Sequence, residues 1–310
     1  VQQYRDRYAL YKSDPLLQEA HRLYPWIVVW DDHEVANNWA GRFPSWARAD
    51  AAFMERRAGA AKAYYEHMPL RRSSIPRGPD MQLFRRLDFG DLARFHILDT
   101  RQFRSRQACG DGIKNCPETV EQSRTMLGDA QERWLFDGLQ QSRARWNILA
   151  NQIMMTKVDR MPGGEEGFAQ DEWAGYEQSR RRLCEFLEAR KPPGPLVVTG
   201  NNHVHFVGDI KADFRNPNAP AAATEMLGTS IASGGDPSPT NAVAERFRAS
   251  LAENPQVKYY EDIRGYVVCR LGRDECTADM RGVRVAVPDQ PLDPGARFRV
   301  EQRRPGATRV

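Results

Sequence analysis

Asp31-Asp32-His33-Glu34 sets four ionisable side chains in a row, with the amides of Asn37 and Asn38 close behind. Carboxylate, imidazole and carboxamide are the donors that hard and borderline cations take. Four adjacent titratable groups also crowd like charges, which costs stability unless a cation or a partner neutralises them. The stretch therefore reads as half of an active site. A plainer reading stands beside it: acidic residues that follow a strand often cap the next turn or helix, and a lone histidine there is usually solvated.

Three further polar clusters follow apolar, strand-like runs: Asp99-Thr100-Arg101-Gln102, Asn151-Gln152, and Gly200-Asn201-Asn202-His203-Val204-His205. The carboxyl ends of strands are where open α/β sheets bind ligands, so four such ends imply one site assembled from successive loops. Arg101 is the expected holder of an anionic substrate group, a bidentate role suited to guanidinium; Asn151 is expected to join it in binding substrate. Gly200 is expected to let the backbone turn sharply toward a metal.

The elements that must position these groups can be read from periodicity. Pro25 to Trp30 is apolar and rich in β-branched and aromatic residues, as a buried strand would be, and it delivers the Asp-Asp-His-Glu run at its end. Asp14-Pro15 opens a helix that Pro25 ends, and a long Ala-rich helix is expected from about Ala47 to His67. Val1 to Tyr11 carries no strand or capping signal. Met81–Asp88 and Leu92–Asp99 form a hairpin around Gly90. Helices are then expected over Gly128–Leu139 and Asp171–Arg190, and strands over Trp146–Ala150, Leu196–Thr199, Phe206–Ile210, Glu225–Ala232, Arg264–Arg270 and Glu275–Val287. Helix–strand alternation argues for an α/β layered fold in one domain.

The 310 residues, 41% of them hydrophobic, can bury a large core. A net charge of +4 with scattered basic residues favours anionic substrates and gives no nucleic-acid tract. No apolar run reaches membrane-span length and no signal peptide is present, so a soluble chain with any targeting segment already removed is expected. Cys109 and Cys116 bracket a turn-rich loop that a disulfide could staple, and Cys269 and Cys276 flank Gly272 as a cross-hairpin pair would. Cys184 sits among Leu183, Phe186 and Leu187 as a buried hydrophobe. Two plausible pairs favour an oxidising compartment; five reduced thiols in a cytosolic protein remain the alternative.

Trp30-Asp31-Asp32-His33-Glu34-Val35-Ala36-Asn37-Asn38-Trp39, Leu98-Asp99-Thr100-Arg101-Gln102-Phe103-Arg104-Ser105 and Gly228-Thr229-Ser230-Ile231 closely resemble the alkaline phosphatase D family of metallophosphoesterases. So do Arg124-Thr125-Met126-Leu127-Gly128 and Arg264-Gly265-Tyr266. The resemblance implies a metallophosphatase-like α/β/β/α sandwich of two mixed sheets flanked by helices. It also implies secretion to the periplasm or beyond, and hydrolysis of phosphate mono- and diesters with Ca²⁺ and Fe³⁺ or similar ions. Carried over by position, Asp32 stands where related phosphoesterases place an Asn ligand, and His33 matches their catalytic His, with Asp31 beside it. Asn37 or Asn38 then supplies an amide oxygen to a metal, and His203 matches the His of a Gly-Asp-x-His motif whose Asp is replaced by Asn201. The family's Cys and Gly-Asp-x-x-Tyr motifs are absent, so the 310 residues are expected to form the C-terminal part of the catalytic domain, N-terminally incomplete and monomeric. Two other functions remain open: a phospholipase D-like phosphodiesterase, and a catalytically impaired phosphate- or polyanion-binding protein.

Overall fold

In a computed structural model, residues 1–45, 48–233, 242–283 and 291–310 are described. Six helices run α1 Gln2–Lys12, α2 Pro15–Leu23, α3 Ala51–His67, α4 Gly128–Gln140, α5 Glu177–Arg190 and α6 Ala242–Ser250. The strands are β1 Arg85–Phe89, β2 Ala93–Ile97, β3 Ile113–Lys114, β4 Trp146–Ala150, β5 Phe168–Ala169, β6 Pro195–Thr199, β7 His205–Ile210, β8 Ala223–Leu227, β9 Val257–Glu261, β10 Arg264–Leu271, β11 Glu275–Val283, β12 Arg297–Glu301 and β13 Arg304–Arg309.

A seven-stranded mixed sheet of order β1-β2-β4-β6-β8-β7-β9 forms the centre. Its strands β2, β4, β6 and β8 are mutually parallel, so their carboxyl ends open onto one edge. One face of this sheet packs Leu149, Val197 and Ala223 against Leu135 and Leu139 of α4 and Leu183 and Leu187 of α5. The other face packs Ile148, Leu196 and Met226 against Cys276, Ala278, Met280, Phe298 and Val300 of a second sheet, β10-β11-β12-β13. Burial of these side chains on both faces is the main stabilising term. The second sheet is wholly antiparallel rather than mixed. Along β12, Phe298 and Val300 face inward while Arg297, Arg299 and Glu301 are exposed, so the outward side of that strand is polar.

Several expectations are corrected. Val1 to Tyr11 is mostly helix, held onto α3 by Tyr4 and by the Arg5–Glu66 ion pair at 2.7 Å, a tertiary contact that its sequence gave no sign of. Pro25–Trp30 is not a buried strand: among the described residues no ladder pairs it, and Trp26 and Ile27 are 38% and 45% exposed. Its Val28 carbonyl accepts from the Arg85 guanidinium at 2.7 Å instead. The long helix starts at Ala51 because the Asp50 carboxylate caps it, accepting from Ala52 N at 2.6 Å; Ala47 and the stretch 284–287 of the last expected strand lie outside the described residues. The hairpin strands begin later than expected, and β9, β12 and β13 had no counterpart in the sequence reading.

Cys109 and Cys116 are joined. Closing so short a loop is worth about 2–3 kcal/mol in the loop-entropy account. Reduction is therefore expected to lower the denaturation midpoint by a corresponding amount, and mass spectrometry before and after reduction should return the pair as one linked peptide. Cys269 and Cys276 remain free thiols. The register sets Cys269 opposite Ala278 and Cys276 opposite Leu271, so the two are diagonal neighbours on one face of the sheet without a covalent bond. Cys184 is buried as expected, its thiol pushed up to about 11 by burial.

His96, fully buried on β2, bonds Asn147 at 3.2 Å, and burial lowers its pKa to about 4. Since the unfolded chain protonates this histidine near 6.5 and the folded chain only near 4, stability is complete above about pH 6.5 and falls as pH drops toward 4. The loss should reach about 3 kcal/mol, and His96→Phe should remove it from the pH dependence of the unfolding free energy.

Candidate active site

The Asp-Asp-His-Glu run is a self-braced turn. The Asp31 amide donates to Glu34 Oε2 at 2.7 Å. The two Asp32 oxygens accept from the backbone amides of His33 and Asn38, each at 2.9 Å. Those two carboxylates thus cap the turn, which was the plainer of the two readings. Trp30 and Trp39 pack edge to face beneath it, with Trp39 Nε1 donating to the Asp31 carbonyl and Trp30 Nε1 to Asp99 Oδ2.

Asp31 is the member that reaches across. Its Oδ1 accepts from Arg101 Nε at 2.6 Å, and Arg101 Nη1 donates to Asp171 Oδ1 at 3.0 Å. The same Asp171 oxygen accepts from Arg104 Nη2 at 2.5 Å and from Gln107 Nε2 at 3.0 Å. Arg101 is 0% exposed. Burial works against its charge, yet Asp171 and Asp31 more than offset this and hold the guanidinium firmly protonated. Burial likewise works against the Asp171 carboxylate, but Arg101 and Arg104 hold it below the usual range; burial keeps Asp31 above it, with Arg101 opposing.

The next two residues continue the tie. Glu172 Oε1 accepts from Asn202 Nδ2 at 2.7 Å and pairs with Arg160. Trp173 Nε1 donates to Asn151 Oδ1 at 3.3 Å. Asp171-Glu172-Trp173 therefore joins the Asp31 turn, the loop after β2, the loop after β4 and the loop after β6. The sequence reading missed this segment by placing it inside the helix that begins only at Glu177; an Asp-Glu pair before an amphipathic helix looks like an N-cap, and nothing local separates the two uses.

Arg101 and Asn151 do not present themselves to a substrate. Arg101 has no exposed surface, and Asn151 spends its Oδ1 on Trp173 and its Nδ2 on the Ile153 carbonyl at 2.5 Å. Their position at strand ends is as expected, but the ends lie under the loops that cover them. His205 also leaves the site: it is buried in β7 and bonds the Arg281 carbonyl at 3.0 Å. The groups that do face outward are His33, with 76% of its side chain exposed, Asn37, His203, and the half-buried Asn201 and Asn202. His33 Nε2 lies 3.8 Å from Asp32 Oδ2. Asn201 and His203 hold φ of 71° and 55°, and Asn38 holds 50°. Gly200 is not among the left-handed residues, so the sharp turn is made by Asn201 and His203. Non-glycine residues held there concentrate at functional sites.

Comparison with known proteins decides the family. The sequence profile of the PhoD-like phosphatases matches residues 1–280. The chain belongs to the PhoD-like phosphatase family. Alkaline phosphatase D of Bacillus subtilis (strain 168) is 42% identical over 282 residues, covering 91% of this chain and 48% of that protein. A solved structure of PhoD superposes with a TM-score of 0.92 at 39% identity, covering 99% of this chain and 59% of the other. The chain thus spans about half the length of the curated relative it matches. That superposition also bears out the metallophosphatase-like α/β fold.

A cation pair such as Ca²⁺ and Fe³⁺ needs several converging donors. Among the described residues, the grouping of three His, Cys, Asp or Glu donor atoms within 4.8 Å is Cys109, Cys116 and Glu118. The two sulfurs there are already bonded to each other. Asp32 is occupied by backbone amides, and Asn201 is an uncharged amide, its Nδ2 3.4 Å from Asn202 Oδ1. Around the Asp31 turn, among the described residues, no three such His, Cys, Asp or Glu atoms come that close.

Proposed function

We propose that the PhoD-like chain carries out phosphoester hydrolysis at the carboxyl edge of the central sheet, with His33 as the proton donor to the leaving oxygen. The observation that carries this reading is the placement of the exposed His33 on a turn locked to that edge through Asp31, Arg101 and Asp171. A water oxygen attacks phosphorus in line and releases a proton to solvent while the bond to the leaving alkoxide breaks. His33 in its imidazolium form gives its Nε2 proton to that alkoxide, with Asp32 Oδ2 3.8 Å from that nitrogen. Arg101 acts on Asp31 rather than on substrate: it fixes where the turn stands. Asn201, Asn202 and His203 line the facing loop, where their polar groups can hold phosphoryl oxygens. The name of the Bacillus relative supports an alkaline phosphatase reaction, and the Cys109–Cys116 disulfide supports a secreted or periplasmic setting.

A second reading is a phosphate-binding protein without turnover, favoured by Asn201 and by the sparse donor set. Release of phosphate from a monoester and a diester, measured beside phosphate binding by calorimetry, separates the two: binding with no release from either ester supports the second. If Asn201 contributes its amide oxygen to a cation, Asn201→Asp should tighten Ca²⁺ binding by roughly tenfold, because the carboxylate keeps an oxygen donor there and adds a full charge. Titration calorimetry reads this directly, and an unchanged affinity would remove Asn201 from any cation site.

A further inference from the structure

The amino edge of the central sheet, opposite the candidate active site, holds a cavity of about 940 Å³. It is lined by the turns that lead into the parallel strands: Asp91 before β2, Arg143 and Arg145 before β4, Lys191 to Pro195 before β6 and Pro220 to Ala222 before β8. Arg273 and the β12–β13 turn at Gln302 and Arg303 close it. Its size falls within the range of small-molecule sites, about 300–1,000 Å³.

The walls are stiff, and the prolines and alanines among them give about half of the lining an apolar character. Pro192, Pro193, Pro195, Pro220 and Pro305 contribute rings whose φ is fixed, so the shape stands formed before a ligand arrives. Gly194 turns at φ +49°, where an added Cβ would lie 2.6 Å from the Arg145 carbonyl, so the turn is tight as well as rigid. Gln302 Nε2 ties that carbonyl to the far wall at 2.7 Å.

The charge is lopsided. Asp91 is taken by Arg273 at 2.8 Å, and Arg145 has Asp274 at 3.4 Å. Arg143, Lys191 and Arg303 have no ion pair or side-chain hydrogen bond among the described residues, against one other carboxylate, Glu188. Three unpaired cations around a rigid, partly apolar cleft suit a ligand with an anionic head and an apolar body. We propose that this cavity is a binding site for a small organic anion of that class, separate from the hydrolytic edge and independent of whether that edge turns over.

The probe is naphthalene-2-sulfonate, with the neutral naphthalene-2-methanol as its uncharged counterpart, titrated calorimetrically into the protein. The sulfonate should bind saturably below about 10 mM and at least tenfold more tightly than the alcohol. The combined variant Arg143→Ala, Lys191→Ala, Arg303→Ala changes exposed side chains only, and it should weaken sulfonate binding about tenfold or more while leaving the alcohol unchanged. Ala221→Trp, which fills the cleft and keeps every charge, should weaken both ligands; thermal midpoints of both variants confirm that they fold. Sulfonate affinity unchanged in either variant, equal binding of the two probes, or no saturable binding at about 10 mM overturns the proposal.

Discussion

Arg101→Ala is expected to destabilise the protein by about 3–5 kcal/mol, the range for removing one partner from a buried ionic network. The loss is large because two carboxylates depend on this guanidinium. Asp31 gives up its 2.6 Å partner, and Asp171 keeps only Arg104 as a cation. Asp171, with 10% of its side chain exposed, is too enclosed for water to replace what is lost, so its uncompensated charge carries a desolvation cost; Asp31, at 25%, recovers part of it from solvent. Arg101→Lys should fall between the two, since an ammonium keeps the charge but cannot span Asp31 and Asp171 with a planar fork. Chemical denaturation of the three forms checks the order. A loss below about 1 kcal/mol for the alanine variant, as for an exposed pair, would mean that the network does not hold the turn.

The same network explains what could and could not be read from the chain. The α/β layering was legible because α4, β4, α5 and β6 each carry a clean period and end in turn residues. The edge at which polar groups gather was legible too, since Asp99, Asn151 and Asn201 each follow an apolar run. What these groups do there was not. A buried arginine braced by two carboxylates and an exposed arginine awaiting phosphate have the same sequence signature, and only the fold shows that Asp171, 70 residues away, covers Arg101. Pro25–Trp30 failed for a related reason. Its composition is that of a strand, but a strand exists only where a neighbour offers a ladder, and here Arg85 meets it with a side chain. Cys269 and Cys276 flank Gly272 as a cross-hairpin pair would, yet the register sets them on a diagonal. Asp171-Glu172-Trp173 was hidden because capping and bridging use identical residues.

The most direct test of the hydrolytic reading compares native protein and His33→Ala on two phosphate monoesters, one with an alkyl and one with a 4-nitrophenyl leaving group. His33 stands exposed beside Asp32, and among the described residues its side chain makes no other hydrogen bond or ion pair that would hold the turn, so the variant should keep its thermal midpoint. If His33 protonates the leaving oxygen, kcat for the alkyl ester should fall by about 10²–10⁴-fold, the usual contribution of a positioned general acid. For the nitrophenyl ester, whose leaving group departs without a proton, the fall should be far smaller. An equal fall for both esters, or none for either, would contradict the account and remove His33 from the proton-donor role.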